Sequence, residues 1–194
     1  MIPYYNDLKS LKPMSLRREN VLLFLKRILF SLLFAGITGA CAQIRIYLPF
    51  TPVPVTGQVF AVLLCGAVLG KGYGALSQIF YILLGLSGVP WFVIGPIGPT
   101  GGYLIGFILA PFLTGLLMEK MKKVSLFKTF LSMIAGVFVI YIFGLIQFSI
   151  FTHRDILESI PLAVLPFIPF DIIKAFIAAA AAHLFLKRIF SRNL

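Results

Sequence analysis

Asp171 and Lys174 stand three residues apart in the stretch Asp171-Ile172-Ile173-Lys174, and no other charge occurs from Pro161 to Leu186. On a helix, residues at i and i+3 share a face, so the two side chains point the same way. Each would cost about 2.5–3.5 kcal/mol at the centre of a bilayer. Two roles explain such a pair. One is a dipolar clamp for a polar ligand. The other is a structural ion pair that locks the last helix.

The prolines around the pair set its depth. Pro161, Pro166 and Pro169 break the chain just before it, so the last helix is expected to start near Pro169. Asp171 then falls in its first turn, where free N–H groups and the positive dipole end favour a carboxylate. Lys174 lies about 4.5 Å further along the axis. Both belong at a helix end rather than in mid-membrane.

The rest of the chain reads as a membrane protein. Of its 194 residues, 60% are hydrophobic and 12% charged, where soluble domains carry about a quarter charged. No charged residue lies between Lys71 and Glu119, room for two spans of about 20 residues. Apolar segments near 28–45, 55–70, 73–88, 101–118, 129–151 and 169–186 predict six transmembrane helices. Residues 1–20 read as a cytoplasmic tail and 21–194 as one membrane domain. No removable signal peptide is expected.

The net charge of +11 is a topology signal rather than a nucleic-acid signature. Lys9, Lys12, Arg17, Arg18, Lys26, Arg27, Lys71, Lys120, Lys122, Lys123, Lys128, Lys187, Arg188 and Arg192 fall on one side of the six spans. Only Arg45 and Arg154 fall on the other. The positive-inside rule then puts both termini in the cytoplasm.

The connections on the outer side are rich in helix breakers. Pro49, Pro52 and Pro54 separate spans one and two, and Gly85, Gly88, Pro90, Gly95, Pro96, Gly98, Pro99, Gly101 and Gly102 crowd the connection between spans three and four. Irregular backbone at membrane depth survives where protein buries it or where it lines a cavity. The fold class is therefore an all-α membrane protein with an outward-facing ligand pocket roofed by Pro/Gly-rich loops. Gln58, Thr100, Tyr103 and Tyr81 are candidate pocket residues. Each also reads as an interhelical hydrogen bond. Trp91 reads equally as an interfacial anchor and as a stacking platform. In span one, Ala35/Gly39 and Gly36/Ala40 are small residues four apart, a face that lets another helix approach closely, from this chain or from a partner.

Catalysis and metal binding find little support. Gly85-Leu86-Ser87-Gly88 with His183 imitates an intramembrane serine protease dyad. Yet a nucleophile needs its base within hydrogen-bond reach, and the two are expected at opposite ends of their spans. Cys41, Cys65, His153 and His183 form no metal-ligand spacing, and neither metal nor cofactor is expected. No nucleotide-binding loop follows a strand pattern, so ATP-driven uptake would need partner subunits.

Four ordered blocks carry the reading further. TPVPVTGQVFAVLLCGAVLG at 51–70, GALSQIFYILLGLSGVP at 74–90, GPTGGYLIGF at 98–107 and PFIPFDIIKA at 166–175 together resemble the BioY family. The resemblance implies a biotin-binding substrate-capture component of an energy-coupling-factor vitamin transporter in a bacterial plasma membrane. It implies lipid surroundings, a transmembrane coupling subunit and two cytoplasmic ATPases as partners, with a solitary facilitator as the alternative. It assigns Asp171 and Lys174 to the biotin site. It brings Gly101 and Gly102 in as points of close backbone approach, with Tyr103, Tyr81 and Trp91 beside the ligand's apolar ring. It gives Ala35, Gly36, Gly39 and Ala40 to docking. The chain departs from the family in its compact, uncharged connection Val89–Thr100, where many members carry an Arg or Asn. Arg45 is the nearest substitute from the first outer loop.

Overall fold

The computed structural model describes residues 16–92, 98–121 and 124–191. Most of the tail, Gly95 and Pro96 of the outer connection, and the cations Lys9, Lys12, Lys122, Lys123 and Arg192 lie outside them. The elements in chain order are α1 (Leu16–Cys41), β1 (Arg45–Ile46), β2 (Val55–Thr56), α2 (Gln58–Leu86), α3 (Gly101–Glu119), α4 (Leu126–Thr152), α5 (Ile156–Ala163) and α6 (Ile168–Ser191). Helix α1 includes Leu16–Asn20, so the last residues of the segment read as a tail are continuous with the first span. Five helices, all but α5, are long and apolar enough to cross a membrane.

Helix α2 is not a single rod. Gly70 adopts φ 79° and ψ 175° inside it, a backbone region essentially restricted to glycine. As a straight helix, Gln58 and Tyr81 would sit about 35 Å apart. Instead Gln58 Nε2 donates to the Tyr81 hydroxyl at 2.8 Å. The two arms, 58–69 and 71–86, therefore fold back on each other. They touch almost backbone to backbone near the turn, where a Cβ on Gly74 would meet the Gly66 Cα at 2.9 Å. Ser77 Oγ lies 3.3 Å from Cys65 Sγ across the same seam.

Helix α3 packs on this hairpin and on α4. Pro111, inside α3, removes one helical hydrogen bond and lies directly over Gly66, where an added Cβ would come within 2.6 Å of its backbone. Glu119 at the end of α3 clasps the hairpin turn: it accepts from the Lys71 backbone N–H at 3.1 Å and pairs with Lys71 Nζ at 3.2 Å. Helix α1 leans on the second arm. Ser31 Oγ donates to the Tyr73 carbonyl at 3.1 Å, Gln78 Nε2 donates to Thr38 Oγ1 at 3.2 Å, and the Arg27 guanidinium lies 5.3 Å from the Tyr73 ring centroid.

Two features, the β1–β2 ribbon and α5, were not foreseen. Arg45–Ile46 and Val55–Thr56 pair antiparallel, Arg45 opposite Thr56 and Ile46 opposite Val55, so the proline-rich connection is a tied ribbon rather than wholly irregular chain. The segment before the last span holds the short helix α5 with Pro161 inside it. Its start carries Asp155 at the cap position and Glu158 in the first turn, where acidic side chains complement the helix dipole. These additions share the end of the bundle opposite the Lys71–Glu119 clasp.

Candidate ligand-binding site

Three helix N-termini and the ribbon converge on one cavity. Gln58 opens α2, Thr100 precedes α3, Asp171 lies in the first turn of α6, and β2 supplies Thr56. The cavity measures ≈ 80 Å³. One water needs about 10–15 Å³ on this scale, so the space is much larger than a packing defect. Val53, Val59, Phe92, Leu104, Phe107, Ile140 and Phe167 supply its apolar wall.

The charged pair stands on that wall. Lys174 Nζ donates to Asp171 Oδ1 at 2.7 Å, and Tyr141 donates its hydroxyl to Asp171 Oδ2 at 2.8 Å. The side chains of Asp171 and Lys174 are 4% and 17% exposed. A buried carboxylate is tolerated only when paired and hydrogen-bonded, and here each oxygen has its own donor. An ammonium has three donors, so two on Lys174 have no acceptor among the described residues. The patch thus combines an anchored acceptor with free donors.

A second polar patch faces the same space. Thr56 Oγ1 donates to Gln58 Oε1 at 3.0 Å, and Gln58 Nε2 donates to Tyr81. Tyr103 also lines the cavity with its ring, but its hydroxyl donates to the Ala163 carbonyl at 2.5 Å. That bond fastens the end of α5 to α3.

A BioY family model matches residues 12–191. The chain belongs to the BioY family. It is 42% identical over 166 residues to "Biotin transporter BioY" of Thermotoga maritima, covering 81% of this chain and 96% of that protein. It is 34% identical over 163 residues to "Biotin transporter BioY" of Rhizobium etli, covering 76% and 86% respectively. The fold is similar to a solved structure described as "Crystal structure at 2.1 A of the S-component for biotin from an ECF-type ABC transporter". The TM-score is 0.79 at 27% identity, over 85% of this chain and 93% of that one.

Within this BioY-family fold, the residues singled out from sequence separate into two groups. Asp171, Lys174, Tyr103, Thr100, Gln58 and Tyr81 line the cavity; Gly101, Gly102 and Trp91 do not. Gly102 is buried against the backbone of Phe143, with no room for a Cβ, and sets the close crossing of α3 on α4. Gly101 is the first residue of α3. Trp91 donates Nε1–H to the Tyr81 carbonyl at 3.1 Å, and its ring lies 5.4 Å from that of Tyr81 and covers Gly39. It braces the aromatic wall from behind.

The small-residue face of α1 is also divided. Ala35 and Gly39 are buried within the chain, Gly39 beneath Trp91. Gly36 and Ala40 are exposed, with nothing within 4 Å of a Cβ on Gly36. Tyr141 was missed from sequence. It is one polar hydroxyl in the long apolar run of α4, and only its pairing with α6 reveals what it serves. Its position 30 residues from Asp171 leaves no local signal.

Proposed function

We propose that this chain captures biotin at the outer face of a plasma membrane, as the substrate-binding component of an energy-coupling-factor uptake system. It is a transport component, not an enzyme. Ser87 donates its hydroxyl to the Leu84 carbonyl at 2.8 Å, a local backbone bond rather than a link to a general base.

The observation that carries the proposal is a desolvated Asp171–Lys174 pair, braced by Tyr141, on the wall of an otherwise largely apolar cavity. Biotin has a ureido ring with two N–H donors and one carbonyl acceptor, an apolar thioether ring and a valerate tail. Asp171 offers acceptor positions and Lys174 offers donors, while the apolar wall suits the ring and the aliphatic tail.

We read the two arms of α2 as separate spans, which gives six. Lys71, Lys120, Lys128 and Lys187 stand at the end away from the cavity, and Arg45 and Arg154 at the cavity end. The positive-inside rule then makes the cavity end the outer one. The arm 58–69 is about 18 Å long, short of the roughly 30 Å hydrocarbon core. The ribbon and buried Thr51, Val53 and Val55 complete that depth, where irregular backbone is shielded by protein.

Transport needs partners with an ATPase, because this chain has no nucleotide loop. A transmembrane coupling subunit and two cytoplasmic ATPases supply it, and the exposed Gly36/Ala40 side of α1 is the docking face. Titration calorimetry of the purified chain with biotin tests the substrate, with submicromolar binding expected; its absence sinks the assignment. Co-purification of ATPase subunits from membranes tests the coupling, and a chain that transports without them is a solitary facilitator.

A further inference from the structure

The two polar patches of the cavity offer different chemistry. Asp171 and Lys174 together present both acceptor and donor positions. The Thr56–Gln58–Tyr81 chain runs in one direction only. Thr56 commits its single hydroxyl proton to Gln58 Oε1, so the amide turns its NH2 toward Tyr81. The Tyr81 oxygen therefore accepts, and its own proton has no acceptor among the described residues. The second amide proton of Gln58 is likewise free there. Tyr81 is 1% exposed, and a buried donor left unmade is costly.

Positive charge accompanies this patch. Arg45 stands directly opposite Thr56 in the ribbon, and cross-strand partners share one face of a sheet. The guanidinium also donates to Gln43 Oε1, a neutral group, and among the described residues no carboxylate pairs with it. Among the described residues the one carboxylate lining the cavity, Asp171, belongs to the other patch. A donor-only patch beside a cation fits an anionic, acceptor-only group.

We propose that Tyr81, presented by Thr56 and Gln58 and supported by Arg45 at the rim, seats the terminal carboxylate of the ligand. The mixed Asp171–Lys174 patch is left for the ureido ring. This orientation rests on the biotin reading above and adds the residues that discriminate an acid from its neutral derivatives. It also identifies a source of positive charge in a chain whose connection Val89–Thr100 has none.

The test is titration calorimetry of the full chain with biotin and biotin methyl ester, for the wild type, Tyr81→Phe and Arg45→Gln. The wild type is expected to prefer biotin. Tyr81→Phe should weaken biotin by about tenfold or more, the worth of a hydrogen bond to a charged group, and leave the ester nearly unchanged. Arg45→Gln, at a partly exposed position that needs no repacking, should narrow the same preference. Equal losses for acid and ester in both variants, or a wild type that binds them alike, overturn the orientation while biotin capture stands. A wild type that binds neither overturns both.

Discussion

Tyr141 donates its hydroxyl to Oδ2 of Asp171 at 2.8 Å, across the gap between α4 and α6. The other oxygen is held by Lys174 at 2.7 Å. A carboxylate gripped on both oxygens has little freedom to turn, so its remaining lone pairs keep a fixed direction. The tyrosine is thus a positioning residue for the charged patch.

Tyr141→Phe should weaken biotin binding by about tenfold and lower stability by roughly 1–3 kcal/mol, because it leaves a buried acceptor short of a partner. Calorimetry and thermal unfolding report the two effects separately. A loss of stability with unchanged affinity assigns Tyr141 to structure alone.

The ion pair is testable by comparing single and double changes. Lys174→Met leaves a buried carboxylate uncompensated, a loss of about 3–5 kcal/mol when one partner of such a pair is removed. Asp171→Leu combined with Lys174→Met should recover much of that stability. Biotin binding should be lost in both. A double variant that still binds biotin contradicts the clamp.

Gly70 carries the reversal of α2. Gly70→Ala forces a side chain into φ 79° and ψ 175°, at a cost of about 1–3 kcal/mol. Gly115→Ala should act in the same way from the facing helix, since its Cβ would run into the backbone of Gly70 and Lys71. Thermal unfolding in detergent measures both, and an unchanged midpoint for either variant speaks against a tight turn.

The two sides of α1 should respond differently. Gly39→Ala collides with the Trp91 ring and should cost about 1–3 kcal/mol through overpacking. Gly36→Leu and Ala40→Leu point outward. They should leave calorimetric biotin affinity of the isolated chain unaltered and reduce the ATPase subunits that co-purify. Normal co-purification with both leucines in place removes this face from consideration.

Much of the architecture was legible in the chain because lipid imposes a simple code. Apolar length marked the five long helices, the gap between the predicted segments 55–70 and 73–88 fell at the hairpin turn, and Pro161, Pro166 and Pro169 put Asp171 in a first turn. The charged pair was legible because charge is so costly in an apolar segment. Tyr141 was not: it is one of several hydroxyls in α4, and its partner lies 30 residues away. Trp91 on Gly39 is a similar case, since the contact joins two segments whose approach depends on how α1 leans on the hairpin. The ribbon and α5 escaped notice because proline density signals broken helices without saying what short structure fills the gap.

A reversal made by one residue leaves no slack. The arms 58–69 and 71–86 cannot slide past each other without tearing the Gln58–Tyr81 link and the Cys65–Ser77 seam, so they behave as a fixed jamb. Any change of shape at the cavity would then fall to its other described borders, the ribbon and the end of α5, which Tyr103 fastens through a single carbonyl.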